Sequence, residues 1–379
     1  MSSLTERLTA IKANGGQVVS CYVSLEPEDR RRAKYLIELK DAAKAIRERL
    51  DSLMPERSAR RAVERDLTKI LEYVGHSSDL PAARGVAIFA STPLKLFAAV
   101  PLPQVYHTRL ALDRAPQLEE LIATEQEFGR LLMVVADRMH ARLFDVTAFE
   151  AVELPCSRSA GMRGGKYHGD RQGSPGWGEA DYHNRIREEE HRHYDLVARE
   201  LAARERERPA RDIILAGPGT VPTTLLRFLS SALADRVTGT VRLNPPEVTP
   251  AAVYRAALDV RRKRERVAER TLATAVEHGL TAGWTVNGIE PTLGALAKGQ
   301  VRVLLVRADT HRQGYRCAAS GRLAASKAEC SGEGEPMPVP DLVSDAIQEA
   351  LRQHVSVTVI RDRKPADAID GMAALLRFR

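Results

Sequence analysis

The first third of the chain combines short apolar runs with longer stretches of helical periodicity. Its predicted elements, in chain order, are strand Gln17–Leu25, helix Asp29–Leu50, helix Ser58–Val74, strand Gly85–Ala90 and strand Leu94–Val100. The strands are rich in apolar and β-branched residues, whereas the helices place apolar residues three or four positions apart between charged ones. This order predicts an N-terminal α/β domain over residues 1–127.

The middle of the chain predicts a second group of strands and helices. These are strands Leu131–Ala136, Ala141–Val146 and Ala148–Leu154, a helix at about Tyr182–Glu207, strand Asp212–Ala216 and a helix beginning near Thr223. Short polar turns separate the first three strands, which predicts a β-meander. The turn Gly217-Pro218-Gly219-Thr220 lacks the lysine of a P-loop and the spacing of a dinucleotide-binding turn, so we interpret it as a plain strand-to-helix turn. We assign residues 128–265 to this central domain.

The last part of the chain predicts a smaller α/β domain, residues 266–379. A long helix from about Pro250 to His278 is expected to bridge the central domain and this one, whose elements are helix Pro291–Lys298, strand Val301–Val306, helix Val339–Gln353 and strand Ser356–Arg361. The insert 309–338 is rich in small and polar residues, and we expect it to be the most mobile part. Within the long helix, Arg261–Arg266 spreads basic residues around the axis, which is typical of a solvated face.

Length and composition fit a folded, multidomain protein. The chain has 379 residues, of which 44% are hydrophobic and 28% charged, which predicts two or three domains; we predict three. No apolar run reaches the roughly 18–20 residues needed to cross a bilayer, and the N-terminus lacks a signal-peptide core. The four cysteines (Cys21, Cys156, Cys317 and Cys330) are sparse and irregular, which suits a reducing compartment better than a disulfide scaffold. We expect a cytoplasmic protein with no membrane partner.

The net charge of +7, with a pI near 9.3, favours an anionic partner. Lysine and arginine gain affinity for nucleic acid by releasing counterions from phosphates, so RNA or a ribosome would qualify. A basic surface that serves only solubility explains the same charge equally well. Charge alone leaves both interpretations open.

A glycine-rich basic loop, 156–180, separates the predicted meander from the helix that follows it. Its candidate RNA-binding residues are Arg158, Arg163, Gly164, Gly165, Lys166, His168 and Arg171. Glycine lets the backbone approach another molecule closely, and the basic side chains can contact phosphates. From the pattern alone, a solvated loop is as good an explanation.

Three features of the sequence have counterparts in one protein family. Val134–Phe144 is similar to the opening hairpin of that family's central domain, and Ile213–Gly219 to the strand and turn at the edge of the same sheet. Ala295–Val301 and Asp341–Arg361 look like parts of its third domain. The chain thus resembles the archaeal and eukaryotic class-I peptide chain release factor and Pelota family, especially its bacterial branch of Balon-like ribosome hibernation factors. The resemblance covers about Leu131–Arg379; the N-terminal third matches poorly.

The resemblance implies a fold and a function. The central domain should be ribonuclease-H-like, and the C-terminal domain should be an α/β sandwich like that of kink-turn-binding ribosomal proteins. The protein should bind ribosomal RNA in the ribosomal A site, and its third domain should contact elongation factor Tu or another translational GTPase. The role would be ribosome hibernation or rescue. No segment corresponds to the Asn-Ile-Lys-Ser motif that reads stop codons.

The chain departs from the family at the residue that matters most for peptide release. Release factors carry a Gly-Gly-Gln loop where this chain has Gly164-Gly165-Lys166. The family's glutamine positions water at the peptidyl ester, and a lysine side chain cannot accept a hydrogen bond. We therefore expect an A-site occupant that does not release peptide, and we assign no catalytic residue. The alternatives are a peptidyl-tRNA hydrolase that uses Lys166 or His168, and a stand-alone RNA-binding stress protein.

We predict neither a cofactor nor a metal site. Cys317 and Cys330 look like two zinc knuckles that each kept only the first ligand, which favours a metal-free hairpin. His183, His191 and His193 are clustered in sequence, but the last two are two positions apart and point in different directions on a helix. An ordinary charged helix face explains them better than a metal site does.

Overall fold

A computed structural model shows mixed α/β structure, and it describes residues 8, 17–76, 80–81, 83–155, 177–308, 310–361 and 363–378. These residues form four sheets, so the predicted α/β fold class is confirmed. The chain makes two compact units, Phe128–Arg262 on the one hand and Met1–Glu127 with Lys263–Arg379 on the other. The predicted domain limits remain a prediction. None of the helices in the described parts of the chain is long and apolar enough to span a bilayer.

The N-terminal segment forms an antiparallel sheet covered by two long helices. It contributes β1 (Val18–Ser24), α1 (Pro27–Arg32), α2 (Lys34–Leu53), α3 (Arg57–Gly75), β2 (Gly85–Ser91), β3 (Leu96–Leu102), β4 (Arg109–Asp113) and α4 (Glu119–Phe128). The strand order is β3-β2-β1-β4. The predicted helix Asp29–Leu50 is interrupted at Ala33, which has a positive φ of 49°. Leu39, Leu67 and Ile70 pack from the helices into a fully buried core.

The central unit is built on a five-stranded mixed sheet. It contains β5 (Leu131–Ala136), β6 (Ala141–Val146), β7 (Ala151–Leu154), α5 (Trp177–Glu207), β8 (Asp212–Ala216), α6 (Val221–Leu226), α7 (Ser231–Ala234) and β9 (Val237–Val241). The strand order is β7-β6-β5-β8-β9. The first three strands form the predicted antiparallel meander, and β8 and β9 run parallel to β5. This is the strand order of a ribonuclease-H-like domain.

The C-terminal segment forms a three-layered α/β sandwich. Its elements are α8 (Pro250–Ala282), β10 (Thr285–Asn287), α9 (Ile289–Ala297), β11 (Val301–Arg307), β12 (Gly314–Arg316), β13 (Leu323–Ala324), β14 (Met337–Val339), α10 (Leu342–Arg352), β15 (Ser356–Ile360), α11 (Arg363–Asp367) and β16 (Met372–Leu376). The main sheet has the order β10-β16-β11-β15. Leu304 and Val306 of β11 pack with α9 and α10 on one face, whereas Leu305 packs with Val276 of α8 on the other. Alternate residues of one strand therefore serve two cores.

The insert that we expected to be mobile has its own small sheet, β13-β12-β14. Cys317 and Cys330 are disulfide-bonded within it, with 5.2 Å between their Cα atoms, and both are buried. Our expectation that the cysteines would not pair was wrong for these two. They lie 13 residues apart, and only the folding of the insert brings them together. The prediction that the insert binds no zinc remains a prediction.

Gly217 lets the chain pass closely over the end of β5. Its N–H donates to Val241 O at 3.0 Å, and a Cβ at this position would be in hard contact with the carbonyl oxygen of Ala136. The helix that follows begins at Val221 with Thr220, not Thr223, as its N-cap residue. These contacts all lie within the turn and its sheet, as expected for a plain strand-to-helix turn.

We expect Gly217→Ala to destabilise the central unit by about 1–3 kcal/mol, because backbone must move to accept the methyl group. Urea denaturation measures the change. Gly219→Asn is the matched control, since Gly219 has φ +54° but no atom close to its Cβ position, and asparagine tolerates that conformation. Equal stability of Gly217→Ala and the parent protein would show that the close approach of residue 217 to Ala136 O does not require glycine at this position.

Candidate functional site

The candidate RNA-binding residues lie outside the described residues. These are Arg158, Arg163, Gly164, Gly165, Lys166, His168 and Arg171. The structure does describe the residues on either side of their segment, 156–176. These are Pro155 after β7, where the segment starts, and Trp177 at the start of α5, where it ends. The contacts that hold these two points therefore fix where the segment starts and ends.

One arginine holds the first of these points, and a second arginine holds the strands beside it. Arg204 of α5 donates from Nη2 to the carbonyl oxygen of Pro155 at 2.7 Å. On the strands beside it, Arg142 and Glu153 form a two-point ion pair, with distances of 2.8 Å and 2.6 Å. Hydrogen bonding from Arg142 lowers the pKa of Glu153. Arg142 also donates to the carbonyl oxygen of Val248 at 2.7 Å, so it ties β6 to the chain before α8.

The second point lies far along α5 from the first. The helix begins at Trp177, and Arg204, which holds Pro155, is near its C-terminal end. At about 1.5 Å per residue these two positions are roughly 40 Å apart along the helix axis. His193 and Tyr194, in the middle of the helix, are buried and lie about 24 Å from the helix start. The segment therefore leaves beside the sheet, near Arg204, and returns at the opposite end of α5.

The middle of α5 is fixed to the turn between β5 and β6. His193 Nε2 lies 3.1 Å from the carbonyl oxygen of Asp137, which is within hydrogen-bonding distance. The Asp137 carboxylate in turn accepts hydrogen bonds from the backbone N–H groups of Met139 and His140 at 2.7 Å and 2.6 Å. Burial alone would raise the pKa of Asp137, but these bonds outweigh it and lower the pKa. Burial lowers the pKa of His193, which the Asp137 carbonyl only partly opposes.

His191 and His193, the two histidines of α5 whose side chains the structure describes, do not converge. His193 points to the β5–β6 turn, whereas the His191 ring packs edge-on against Phe228 with 4.6 Å between centroids. This agrees with the prediction that the two side chains point in different directions. The side chain of His183 lies outside what the structure describes.

The basic run of α8 is less solvated than we expected. Arg261 donates from Nη1 to the carbonyl oxygen of Phe128 at 3.0 Å, and its guanidinium lies 4.6 Å from the centre of the Phe128 ring. Glu269, one turn beyond the basic run, is 2% exposed and accepts a hydrogen bond from Arg361 N at 3.1 Å. Arg261 is thus a packing residue, so it does not add to a basic surface for RNA.

The hydrogen bonds and ion pairs described above are suited to positioning the two ends of the segment 156–176. Several hydrogen bonds and ion pairs fix the sheet, the start of the segment and the middle of α5, and the basic residues lie between these supports in the chain. Sequence reasoning missed the supporting residues Arg142, Arg204 and His193. The only local signal for them was their position in charged stretches, which is common in exposed helices and strands.

The His193 contact should make the central unit less stable in mild acid. Because burial lowers its pKa in the native state, unfolding takes up a proton as the pH falls below the ordinary histidine value of about 6.5. The free energy of unfolding should therefore decrease between about pH 7.5 and about pH 5.5, and less so in His193→Gln, which can still donate to Asp137 O. Urea denaturation at the two pH values measures this. His191→Gln, exposed on the same helix, should retain the parent's decrease; an unaltered decrease in His193→Gln would contradict the assignment.

Solved structures of similar fold come from translation-related proteins. They include Archaeoglobus fulgidus Pelota (14% identity over 78% of this chain and 79% of that one, TM-score 0.37) and a model of ribosome-bound archaeal Pelota and ABCE1 (19% identity, 76% and 73%, TM-score 0.40). Another is Saccharomyces cerevisiae Dom34, described as a translation termination-like factor that interacts with Hbs1 (10% identity, 80% and 76%, TM-score 0.35). Such low identities and TM-scores carry no functional argument. No curated protein sequence matches the chain significantly.

A family model gives the more specific result. Residues 116–262 match the model of bacterial archaeo-eukaryotic release factor family 10. This range contains all five strands of the ribonuclease-H-like sheet, the helix α5 and the glycine-rich basic segment before it. The predicted resemblance to the release factor and Pelota family is thereby confirmed, and residues 116–262 of this protein are similar to bacterial archaeo-eukaryotic release factor family 10.

Proposed function

We propose that this protein binds the ribosome and occupies its A site without releasing the nascent peptide, in ribosome hibernation or rescue. The observation that carries the proposal is the family match over residues 116–262, combined with Gly164-Gly165-Lys166 in place of the family's Gly-Gly-Gln. The match supports a translation factor, and the substitution argues against peptide release.

The chemistry of the segment supports contact with RNA phosphates. Between Cys156 and Arg171 there are four Lys or Arg residues and a single acid, Asp170. Two adjacent glycines expose backbone N–H groups that can donate to phosphate oxygens alongside these side chains. Such contacts position a protein on RNA without reading its sequence, which suits an occupant of a conserved ribosomal site.

The frame supports the same proposal. A segment that starts beside the sheet and ends at the N-terminal end of a long helix can extend to a partner while the central unit stays folded. Binding loops carried by rigid scaffolds are a common arrangement in proteins. The helix α5 begins at Trp177, about 24 Å along its axis from His193, whose contact with the β5–β6 turn fixes the middle of the helix.

Partner and compartment belong to the proposal as well. By resemblance, the C-terminal sandwich would contact elongation factor Tu or another translational GTPase. Cytoplasmic ribosomes would be the target, and the Cys317–Cys330 disulfide is the feature that argues against a strongly reducing compartment. A pull-down of elongation factor Tu by the full-length protein, with and without ribosomes, tests the partner.

Ribosome binding should weaken steeply with salt. Phosphate contacts release counterions, so the logarithm of the binding constant falls linearly with the logarithm of salt concentration. The double variant Arg163→Ala with Lys166→Ala should lower this slope by roughly two units, about one for each lost contact. Co-sedimentation with ribosomes from growing and starved cells, at several salt concentrations, measures the slope.

The matched control for this double variant is Arg206→Ala with Arg227→Ala. It removes the same charge from two exposed positions of the central unit outside the segment. We expect this control to keep the parent's slope. Equal slopes for both double variants would show that the segment does not contact the ribosome. Absence of ribosome binding at low salt would overturn the whole proposal.

Peptide release separates the occupant from the hydrolase alternative. The parent protein and Lys166→Ala should both leave peptidyl-tRNA in loaded ribosomes at the background rate, since lysine cannot position water as the family's glutamine does. The measurement is release of labelled peptide. The hydrolase alternative predicts release by the parent and a loss of roughly 10²–10³-fold on changing Lys166 or His168. Lys166→Gln tests whether residue 166 lies close to the peptidyl ester on the ribosome. Peptide release by this variant would show that it does.

A further inference from the structure

Two histidines and an aspartate from distant parts of the chain meet in the unit formed by Met1–Glu127 and Lys263–Arg379. His107 lies between β3 and β4, His311 follows β11, and Asp341 directly precedes α10. One donor atom from each side chain lies within 4.8 Å of the other two. His107 Nδ1 is 3.0 Å from Asp341 Oδ2, and the two imidazole centres are 4.7 Å apart.

His107 is the residue whose surroundings need an explanation. Its side chain is only 7% exposed, and within the described part of the chain its Nδ1 atom has no hydrogen-bond partner. Asp341 Oδ2 lies 3.0 Å from this atom, so a direct histidine–aspartate pair is the metal-free arrangement of the same side chains. Buried polar atoms are almost always satisfied by protein, water or an ion.

The other two side chains are held in place by backbone contacts. Asp341 caps α10 by accepting a hydrogen bond from Ser344 N through Oδ1 at 3.3 Å, which leaves Oδ2 to face His107. The residue after His311 is tied to the same helix start, because the carbonyl oxygen of Arg312 accepts from Leu342 N at 2.8 Å. Supports of this kind orient the ligands of metal sites.

The backbone around His107 is fixed on both sides. Tyr106 N donates to the buried carboxylate of Glu120 at 2.7 Å, and Thr108 Oγ1 accepts from Ser24 N at 3.1 Å. His107 therefore has little freedom to turn away from the other two side chains. The three donors are preorganised from three separate elements, which is unusual for a chance encounter of polar side chains on a surface.

We propose that His107, His311 and Asp341 bind one divalent transition-metal ion, and that zinc suits this set of donors best. Two imidazole nitrogens and one carboxylate oxygen are a common zinc ligand set, with a fourth position left for water. Glu38 is a second source of negative charge, since its Oε1 lies 3.7 Å from His311 Nε2. Together the carboxylates offset the unfavourable field of the α10 N-terminus on a cation.

The bound ion would join the β3–β4 connection to the start of α10. This site goes beyond the proposed ribosomal function and differs from the sequence-based prediction of no metal site. It is also separate from the Cys317–Cys330 pair, whose sulfurs are bonded to each other. The competing explanation is a metal-free histidine–aspartate cluster that only packs the two segments together.

Zinc titration of the full-length protein separates the two explanations. The protein should carry no histidine tag, be stripped with a chelator, and compete with a chromophoric chelator for zinc. We expect one equivalent to bind, and His311→Ala to bind at least about tenfold more weakly. Because the His311 side chain is 44% exposed, this variant avoids the folding risk of changing buried His107. His278→Ala, an exposed histidine of α8, is the matched control and should bind like the parent.

Two further measurements assign the ion to the site. Zinc should slow hydrogen exchange at residues 103–108 in the parent protein but not in His311→Ala, and Cys317→Ser with Cys330→Ser should keep the parent's affinity. Absence of zinc binding by the folded parent, or equal affinity of the parent and His311→Ala, would overturn the proposal. Loss of binding in the cysteine variant alone would overturn it as well, by moving the ion to the insert.

Discussion

The parallel pairing of β5 with β8 is the constraint on which the central unit depends. All of β5 is buried, and residues such as Val134 and Leu215 face each other across the pair. Parallel neighbours cannot be joined by a tight hairpin, so the chain must cross over a face of the sheet before it forms β8. Here it first completes the antiparallel meander and then returns through α5. The basic segment lies in this crossover, so its place in the fold follows from the pairing.

The contacts that hold the crossover in place lie outside its basic segment. Two contacts serve as its supports. Arg204 donates a hydrogen bond to the carbonyl oxygen of Pro155, where the segment starts, and His193 contacts the β5–β6 turn from the middle of α5. Both supports are made by residues outside the segment 156–176. A side chain within the segment can therefore differ without removing either support, which is the usual relation between a packed scaffold and a connecting segment.

In the other unit, the two ends of the chain share one core. Tyr106 of the N-terminal segment is buried among residues of α9, β11 and α10, and Arg361 donates to the carbonyl oxygen of Val105 at 2.8 Å. Burial of this connection brings His107 beside His311 and Asp341. Packing of the residues around Tyr106 thus places three side chains of metal-ligating types together, although His107 and Asp341 are more than 200 residues apart in the sequence.

By itself the sequence determined the strongest local elements and the chemistry of the segment. β5, β6 and β8 begin and end where we predicted, because each is an apolar or alternating run bounded by polar turns. Short strands such as β9 and β16 were missed, since their signal is too weak without the neighbours that cover them. Only tertiary structure could pair Cys317 with Cys330 or assemble His107, His311 and Asp341. Such contacts join residues that are far apart in the chain. Composition and periodicity predict only local secondary structure, because they depend on residues that are close in sequence.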